Sequence, residues 1–197
     1  IPCQRWNCWI CPTWHPAYLL REGNPVLDLH TNRHLRAALG LSGRPWDKVL
    51  PSHQKAVACV YGPSDAARIV REMVRRGGTV AVDYETDRLK PDHHDARIVC
   101  CGICWEGKKT IAFPWHGEAI KATGELLSNG NVRKRGWNIK FEERWTRKEF
   151  GHGVNNWVWD GMQAAHILDN RPGITSCKFQ AFTLLGPEPW DVEIGPY

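Results

Sequence analysis

Two acidic residues close an apolar, β-branched segment, and this pair constrains the fold more than any other feature of the sequence. Thr79-Val-Ala-Val82 has the composition of a buried strand, and Asp83 and Glu85 follow it directly. Side chains alternate between the two faces of a strand, so we predict that both acids lie on one face. Two such carboxylates repel each other unless a cation lies between them, and a divalent metal ion is the usual candidate. A salt-bridged strand end is the alternative interpretation.

The rest of the chain alternates strand and helix patterns, which predicts an α/β fold. Ser64 is a good N-cap for a helix that Gly77-Gly78 would end, and Gly107 fits the short turn of an antiparallel hairpin. The predicted elements are helix 64–76, strands 79–84, 96–105 and 109–113, helix 118–127, strand 132–137, helix 141–150, strand 157–159, and helices 161–168 and 177–185. A hairpin meander followed by alternating strands and helices indicates a mixed sheet flanked by helices.

Composition divides the chain into three regions. Residues 1–39 form an arm that is rich in Trp and Cys at its start and continues into a predicted helix over 28–39. Residues 40–63 are interrupted by Gly and Pro, which predicts a linker with one short strand at 56–60. Residues 64–197 then hold the α/β domain.

Charge and hydropathy limit the possible partners. The 197 residues carry a net charge of +5 at pH 7, which suits a polyanionic partner such as a nucleic acid, although an ordinary solvated surface has the same balance. No segment is apolar for long enough to span a bilayer, and no secretory signal pattern occurs. We therefore expect no membrane partner and a cytoplasmic location.

The positions of the eight cysteines indicate reduced thiols rather than a disulfide framework. Cys100, Cys101 and Cys104 lie in an apolar segment, where reduced Cys acts as a small hydrophobic residue. Cys8-x-x-Cys11, with Cys3 nearby, has the spacing of zinc or iron–sulfur ligands, but no second Cys pair follows it. The arm is either half of a metal site or metal-free.

A second acidic signal lies where strand 132–137 passes into helix 141–150. Asn138 is at the junction, and Glu142 is on the first turn of the helix, from which it can reach back toward the acids at 83 and 85. Lys140 adds a cation suited to phosphate. A solvated first-turn acid, stabilised by the helix dipole, is the alternative for Glu142. Asp160, which follows strand 157–159, is interpreted as the N-cap of the next helix.

These motifs resemble those of a known family. Asp83-x-Glu85-Thr86 at a strand end, Asn138-x-Lys-Phe-acid, and Trp159-Asp-x-Met-x-Ala-Ala-x-Ile-Leu-Asp169 occur in the order found in the proofreading 3′-5′ exonuclease domain of family A DNA polymerases. That domain belongs to the DEDD exonuclease group and has an RNase H-like fold. The resemblance covers roughly residues 56–197.

The resemblance assigns roles to individual residues. It implies that Asp83, Glu85 and Glu142 are catalytic ligands of two Mg²⁺ or Mn²⁺ ions, although the family usually has Asp at the third position. It also implies that Thr86, Leu89 and Asn138 contact the 3′ end of single-stranded DNA, with Leu89 as a wedge beside the terminal base. From their positions in the sequence, we add Lys140 as a cation for phosphate, and Trp137 and Trp145, beside the second motif, as stacking candidates. Leu89 as an ordinary core residue is the alternative.

The family's third motif, Tyr-x-x-x-Asp or His-x-x-x-Asp, is not found before Tyr197. We therefore expect the chain to be a fragment, cut before its fourth carboxylate, whose parent continues into a polymerase domain of bacterial or viral replication. Its own activity is an open question. The alternatives are a catalytically silent DNA-binding scaffold of a polymerase and an RNA-trimming exonuclease of the RNase D type.

The N-terminal arm resembles a different family. Pro12-Thr-Trp-His-Pro-Ala-Tyr-Leu-Leu-Arg21 is similar to the His-Pro motif of the uracil-DNA glycosylase superfamily, in which the residue matched by His15 stabilises charge as the glycosidic bond breaks. The resemblance covers only residues 9–39, so it implies the C-terminal remnant of a glycosylase-like domain without glycosylase activity. A His held in a Pro-rich turn is the alternative.

Overall fold

The computed structural model describes residues 1–3, 5–47, 56–107, 109–169 and 171–186. The described residues form two compact units, 1–47 with 178–186, and 56–177. The strands are β1 (Pro2–Cys3), β2 (Cys8–Trp9), β3 (Val57–Cys59), β4 (Gly78–Thr86), β5 (Ile98–Trp105), β6 (Lys109–Pro114), β7 (Val132–Gly136) and β8 (Trp157–Asp160). The helices are α1 (Pro16–Glu22), α2 (Pro25–Gly40), α3 (Pro63–Arg76), α4 (Glu118–Ser128), α5 (Lys140–Phe150), α6 (Gly161–Leu168) and α7 (Cys177–Leu185).

One mixed sheet organises the larger unit, with the strand order β3-β6-β5-β4-β7-β8. Strands β4, β5 and β6 are antiparallel neighbours, and Gly107 in the turn between the last two has a φ of +64°, as the predicted hairpin requires. Strands β4, β7 and β8 run parallel to one another. Their carboxyl ends therefore meet at one edge of the sheet. This architecture confirms the predicted α/β fold with a mixed sheet flanked by helices.

Helices α3 and α4 pack together and share one apolar core with the sheet. Alternation along β4 places Val80, Val82 and Tyr84 in this core, together with Met73 from α3 and Leu126 from α4. Helix α5 adds Trp145, which is 1% exposed. The core thus lies on one face of β4, and the other face is left for polar side chains.

The start of α3 corrects a prediction. Ser64 is not the N-cap, because the helix begins at Pro63 and Gly62 occupies the capping position. Proline is favoured in the first turn, where its missing N–H needs no acceptor, and this preference outweighs the capping tendency of serine. Gly77 ends the helix as predicted.

A close approach at the start of α6 gives a first prediction. A Cβ atom on Gly161 would lie 2.3 Å from a ring carbon of Trp137, and the indole N–H of Trp137 donates to the Thr175 carbonyl at 2.9 Å. Because the ring is held in place, Gly161→Ala should lower the free energy of unfolding by about 1–3 kcal/mol in urea titrations. Gly130→Ala, which meets nothing within 4 Å, should cost less and is the control. Equal stabilities would contradict this packing.

The smaller unit is held together by aromatic and capping contacts. Trp46 is 4% exposed, its indole N–H donates to the Thr183 carbonyl at 3.1 Å, and its ring meets Phe182 edge-on at 5.6 Å. Helix α2 begins three residues before the prediction, with Asn24 as its N-cap. Helix α1 was not predicted; His15 is exposed and caps it by accepting a hydrogen bond from the Ala17 N–H.

No helix in the described part of the chain is long and apolar enough to cross a membrane.

Candidate active site

Strand β4 carries the acidic pair as the alternation of its side chains predicts. Asp83 and Glu85 are both exposed, while Val82 and Tyr84 between them are buried on the opposite face. Asp83 lies opposite Gly102 of β5, and Glu85 lies opposite Cys100. The acids therefore share one face, near the carboxyl end of the strand.

Neither Asp83 nor Glu85 has a salt-bridge partner among the described residues. The alternative interpretation of this pair, a salt-bridged strand end, is therefore not supported. Desolvation and the charge of Glu85 raise the pKa of Asp83 to about 6. Desolvation, followed by the charges of Glu85 and Asp83, also raises the pKa of the Cys100 thiol. The edge of the sheet therefore concentrates negative charge that no cation of the described residues pairs with.

Helix α5 brings a third carboxylate to this edge. Glu142 is 2% exposed, which excludes the alternative that it is a solvated acid on the first turn of the helix. Desolvation raises its pKa to about 8, the charges of Asp83 and Asp160 add to the shift, and backbone hydrogen bonding opposes it. A helix N-terminus stabilises a carboxylate by at most about 2 kcal/mol, so the cost of burial prevails over the helix dipole here.

The donor atoms at this edge fit a hard divalent cation. Glu142 Oε2 is buried without a hydrogen-bond partner among the described residues, although buried polar atoms are seldom left unpaired. The carboxylates of residues 83, 85 and 142 offer only oxygen ligands, which suits Mg²⁺ or Mn²⁺ better than zinc. A cation bound here would relieve their mutual repulsion and satisfy the unpaired oxygen.

The donor atoms of residues 83, 85 and 142 do not all lie within 4.8 Å of one another. Within the described ranges, one group of His, Cys, Asp or Glu residues meets that distance: His93, His94 and Asp95. This group is an exposed loop cluster: Asp95 contacts the His93 ring and pairs with Arg88 at 3.0 Å, and the two imidazoles stack. Asp95 therefore already has cationic and hydrogen-bonding partners.

A groove of about 350 Å³ joins the two predicted motifs. It brings together Leu89, Asn138 and Lys140, three of the predicted nucleic-acid contacts. Leu89 is 86% exposed, which excludes the alternative that it is an ordinary core residue. Lys90 and Arg144 also line the groove and were not predicted. Both lie within three residues of a motif position, so the only signal in the sequence was positive charge next to the motifs.

The remaining predicted contacts lie around these elements. The Thr86 hydroxyl donates to the Arg88 carbonyl at 2.6 Å, and so shapes the chain that leaves β4. Trp137 is half-buried against the start of α6. Trp145, the other stacking candidate, borders the groove but is 1% exposed, so it leaves almost no ring surface for a base. Stacking by Trp137 stays a prediction.

The burial of Glu142 predicts how stability changes with pH. Its pKa of about 8 in the folded state exceeds the ordinary value of 4.5, so the folded chain holds a proton that the unfolded chain releases. Stability is therefore lost as the pH rises from about 4.5 to about 8. Glu142→Gln should remove this loss and raise the free energy of unfolding relative to wild type by on the order of 3 kcal/mol at pH 8.

Urea titrations at pH 5, 6.5 and 8 in the presence of a chelator measure this difference. Glu149→Gln, on the exposed part of the same helix, is the control and should follow the wild type. A Glu142→Gln variant whose stability relative to wild type is the same at all three pH values would contradict the assignment.

The mixed sheet flanked by helices is consistent with the RNase H-like exonuclease fold, and three acidic residues lie at the end of the sheet where its parallel strands finish. A family model described as 3′-5′ exonuclease matches residues 59–186, and the chain belongs to that family. A comparison with curated proteins returns no match. The family match begins after the arm, and the glycosylase resemblance of residues 9–39 stays a prediction.

Several solved structures share the fold. Escherichia coli RNase D matches with a TM-score of 0.56 and 13% identity, over 70% of this chain and 36% of that chain. The Aedes aegypti Nibbler EXO domain matches with a TM-score of 0.54 and 9% identity, over 75% of this chain and 76% of that chain. The POL domain of Pol1 from M. smegmatis, in complex with DNA primer-template, matches with a TM-score of 0.52 and 14% identity, over 64% and 22%. This chain thus spans about a third of RNase D and less of Pol1.

Proposed function

We propose that this chain is the proofreading exonuclease domain of a DNA polymerase, which removes nucleotides from the 3′ end of single-stranded DNA. One observation carries the proposal: the unpaired, buried carboxylate of Glu142 lies at the same sheet edge as Asp83 and Glu85. Such an arrangement is costly without a cation and serves metal-dependent phosphodiester hydrolysis with one.

The three carboxylates are proposed to hold two divalent ions, Mg²⁺ or Mn²⁺. When bound, such ions lower the pKa of a water molecule and stabilise the leaving 3′ oxygen. Asp83 and Glu85 are fixed by a central strand, and Glu142 by the first turn of α5, so regular elements hold each ligand. Rigid support of this kind keeps reacting groups in position.

The groove between the two motifs is proposed to receive the 3′ end of the strand. Lys140, with Lys90 and Arg144, would neutralise phosphates, and Asn138 would contact the terminal nucleotide. Leu89 is proposed as the wedge beside the terminal base, since an exposed leucine at a groove is available for apolar contact. Thr86 and Trp137 complete the proposed nucleic-acid contacts.

The proposed organisation is a glycosylase-like remnant over 1–39, a linker over 40–63 and the exonuclease domain over 64–197. We also propose that the chain acts together with a polymerase domain in bacterial or viral replication in the cytoplasm.

The test is removal of 3′ nucleotides from a 5′-labelled single strand, assayed with Mg²⁺, with Mn²⁺ and with a chelator. The 197-residue chain and the full product of its gene are both assayed. We expect the full gene product to shorten the strand stepwise, and only with a metal ion. If the full gene product is inert with both ions, and Asp83→Ala binds Mn²⁺ as the wild type does, the proposal is wrong.

Two further arms of this assay separate the alternatives. Faster shortening of a matched RNA end than of the DNA end would indicate an RNA-trimming enzyme of the RNase D type. The unusual Glu at position 142 is the reason for considering a silent scaffold. Such a scaffold would bind DNA in a salt-sensitive manner, and Asp83→Asn would leave that binding unchanged.

A further inference from the structure

Helix α5, which presents Glu142, receives its N-terminal support from outside the helix. Ile139 is in the capping position, and its side chain makes no capping hydrogen bond. The preceding residue, Asn138, has a φ of +61°, a left-handed conformation that Asn adopts more readily than most residues with a side chain. Because a helix leaves its first N–H groups without partners inside the helix, an acceptor from elsewhere is needed to hold this turn.

Asp160 at the end of β8 holds it. Asp160 Oδ1 accepts from the Asn138 N–H at 2.9 Å, and Asp160 Oδ2 accepts from the Ile139 N–H at 3.2 Å. The same side chain caps its own helix α6, where Oδ1 accepts from the Met162 N–H at 2.9 Å. One half-buried carboxylate thus joins the starts of two helices, and the sequence predicted only the cap of α6.

We propose that Asp160 is a positioning residue for the active site, and this inference rests on the proposed function. By fixing the turn at residues 138 and 139, Asp160 sets the direction of α5 and the place of Glu142 on its first turn. It also fixes the backbone of Asn138, whose side chain lines the groove. Asp160 itself is not assigned as a metal ligand.

The Asp160 carboxylate has a negative charge as well as two acceptor oxygens. An Asn at position 160 would remove the charge and would keep only one acceptor oxygen for the three N–H groups of Asn138, Ile139 and Met162. The two contributions, charge and hydrogen bonding, can therefore be separated by substitution.

The test compares Asp160→Ser with Asp160→Asn. Serine is a good N-cap and keeps the support of α6, but its shorter side chain cannot bridge to Asn138 and Ile139. Mn²⁺ affinity is measured by titration calorimetry without substrate, on the longest folded polypeptide that contains the chain. We expect about a tenfold loss of Mn²⁺ affinity in Asp160→Ser, as is typical when a residue that orients a ligand is removed. Asp160→Asn should show a smaller loss.

The matched control is Asn129→Ala, at the opposite end of β7. The Asn129 side chain also holds a turn, by accepting from the Asn131 N–H at 2.8 Å and the Val132 N–H at 3.2 Å. Its loss should lower thermal stability without changing Mn²⁺ affinity. If Asp160→Ser binds Mn²⁺ as tightly as Asn129→Ala does, the positioning role is wrong. If the wild type binds no Mn²⁺, the proposed metal site itself is wrong.

Discussion

Asp83→Asn is expected to reduce metal-dependent removal of 3′ nucleotides by about a thousandfold, because one bound ion supplies several kcal/mol of transition-state stabilisation. The fold should remain, since Asp83 is exposed and forms no ion pair within the described residues. Asn also removes the ionisable group whose pKa is raised by desolvation and by the charge of Glu85. Activity is measured on single-stranded DNA with Mn²⁺, using the full product of the gene.

The matched control for this substitution is Glu106→Gln. Glu106 is an exposed acid at the far end of the same sheet, where it pairs with Arg135 at 3.4 Å. The rate of the Glu106→Gln variant should stay within about threefold of the wild-type rate, since exposed ion pairs contribute little to the stability of the fold. Equal rates for Asp83→Asn and the wild type would remove Asp83 from the catalytic set.

Trp145→Ala should lower the free energy of unfolding by about 3–5 kcal/mol, the cost of deleting a large buried aromatic side chain. Trp145 is 1% exposed, and its ring lies 6.2 Å from that of Phe141. The next residue, Thr146, shares a buried hydrogen bond with Tyr84 of β4, so the loss also loosens α5 against the strand. Urea titration of the chain measures the effect.

Trp159→Ala is the comparison for this prediction. The Trp159 side chain is 58% exposed, and its removal should change the free energy of unfolding by less than about 1 kcal/mol. A Trp145→Ala variant as stable as Trp159→Ala would mean that α5 does not pack on the sheet as described.

The parts of the fold that follow from short-range pattern could be predicted from the sequence. The apolar, β-branched segment before Asp83 predicts strand β4. The alternation of side chains along a strand then predicts that Asp83 and Glu85 share one face. The hairpin turn at Gly107 needed only local residue preferences. Both features depend on neighbours along the chain, which the sequence contains.

Features that depend on tertiary contacts could not be predicted in this way. Trp137 and Trp145 flank the same motif, yet only Trp145 is inside the core, because position on a helix face and not proximity to a motif decides burial. The sequence favoured Glu142 as a site residue but left a solvated first-turn acid as the alternative. Its burial depends on the packing of α5 against β4, and no local signal in the sequence encodes that packing.

Asp160 shows the same limit from another direction. Its role as cap of α6 is local and was predicted, since Asp before a helix is a common N-cap. Its bonds to Asn138 and Ile139 join residues 21 and 22 positions apart in the sequence, and they exist only because β7 and β8 are parallel neighbours.

Strand β4 pairs antiparallel with β5 and parallel with β7. The carboxylates of the proposed metal site belong to a strand and a helix, whereas Leu89, Lys90 and Pro91 of the groove belong to the loop that leads to β5. Under the proposed function, substitutions or insertions in that loop would therefore alter which nucleic-acid end is accepted without moving the proposed metal ligands. Substrate choice and bond cleavage could then evolve independently.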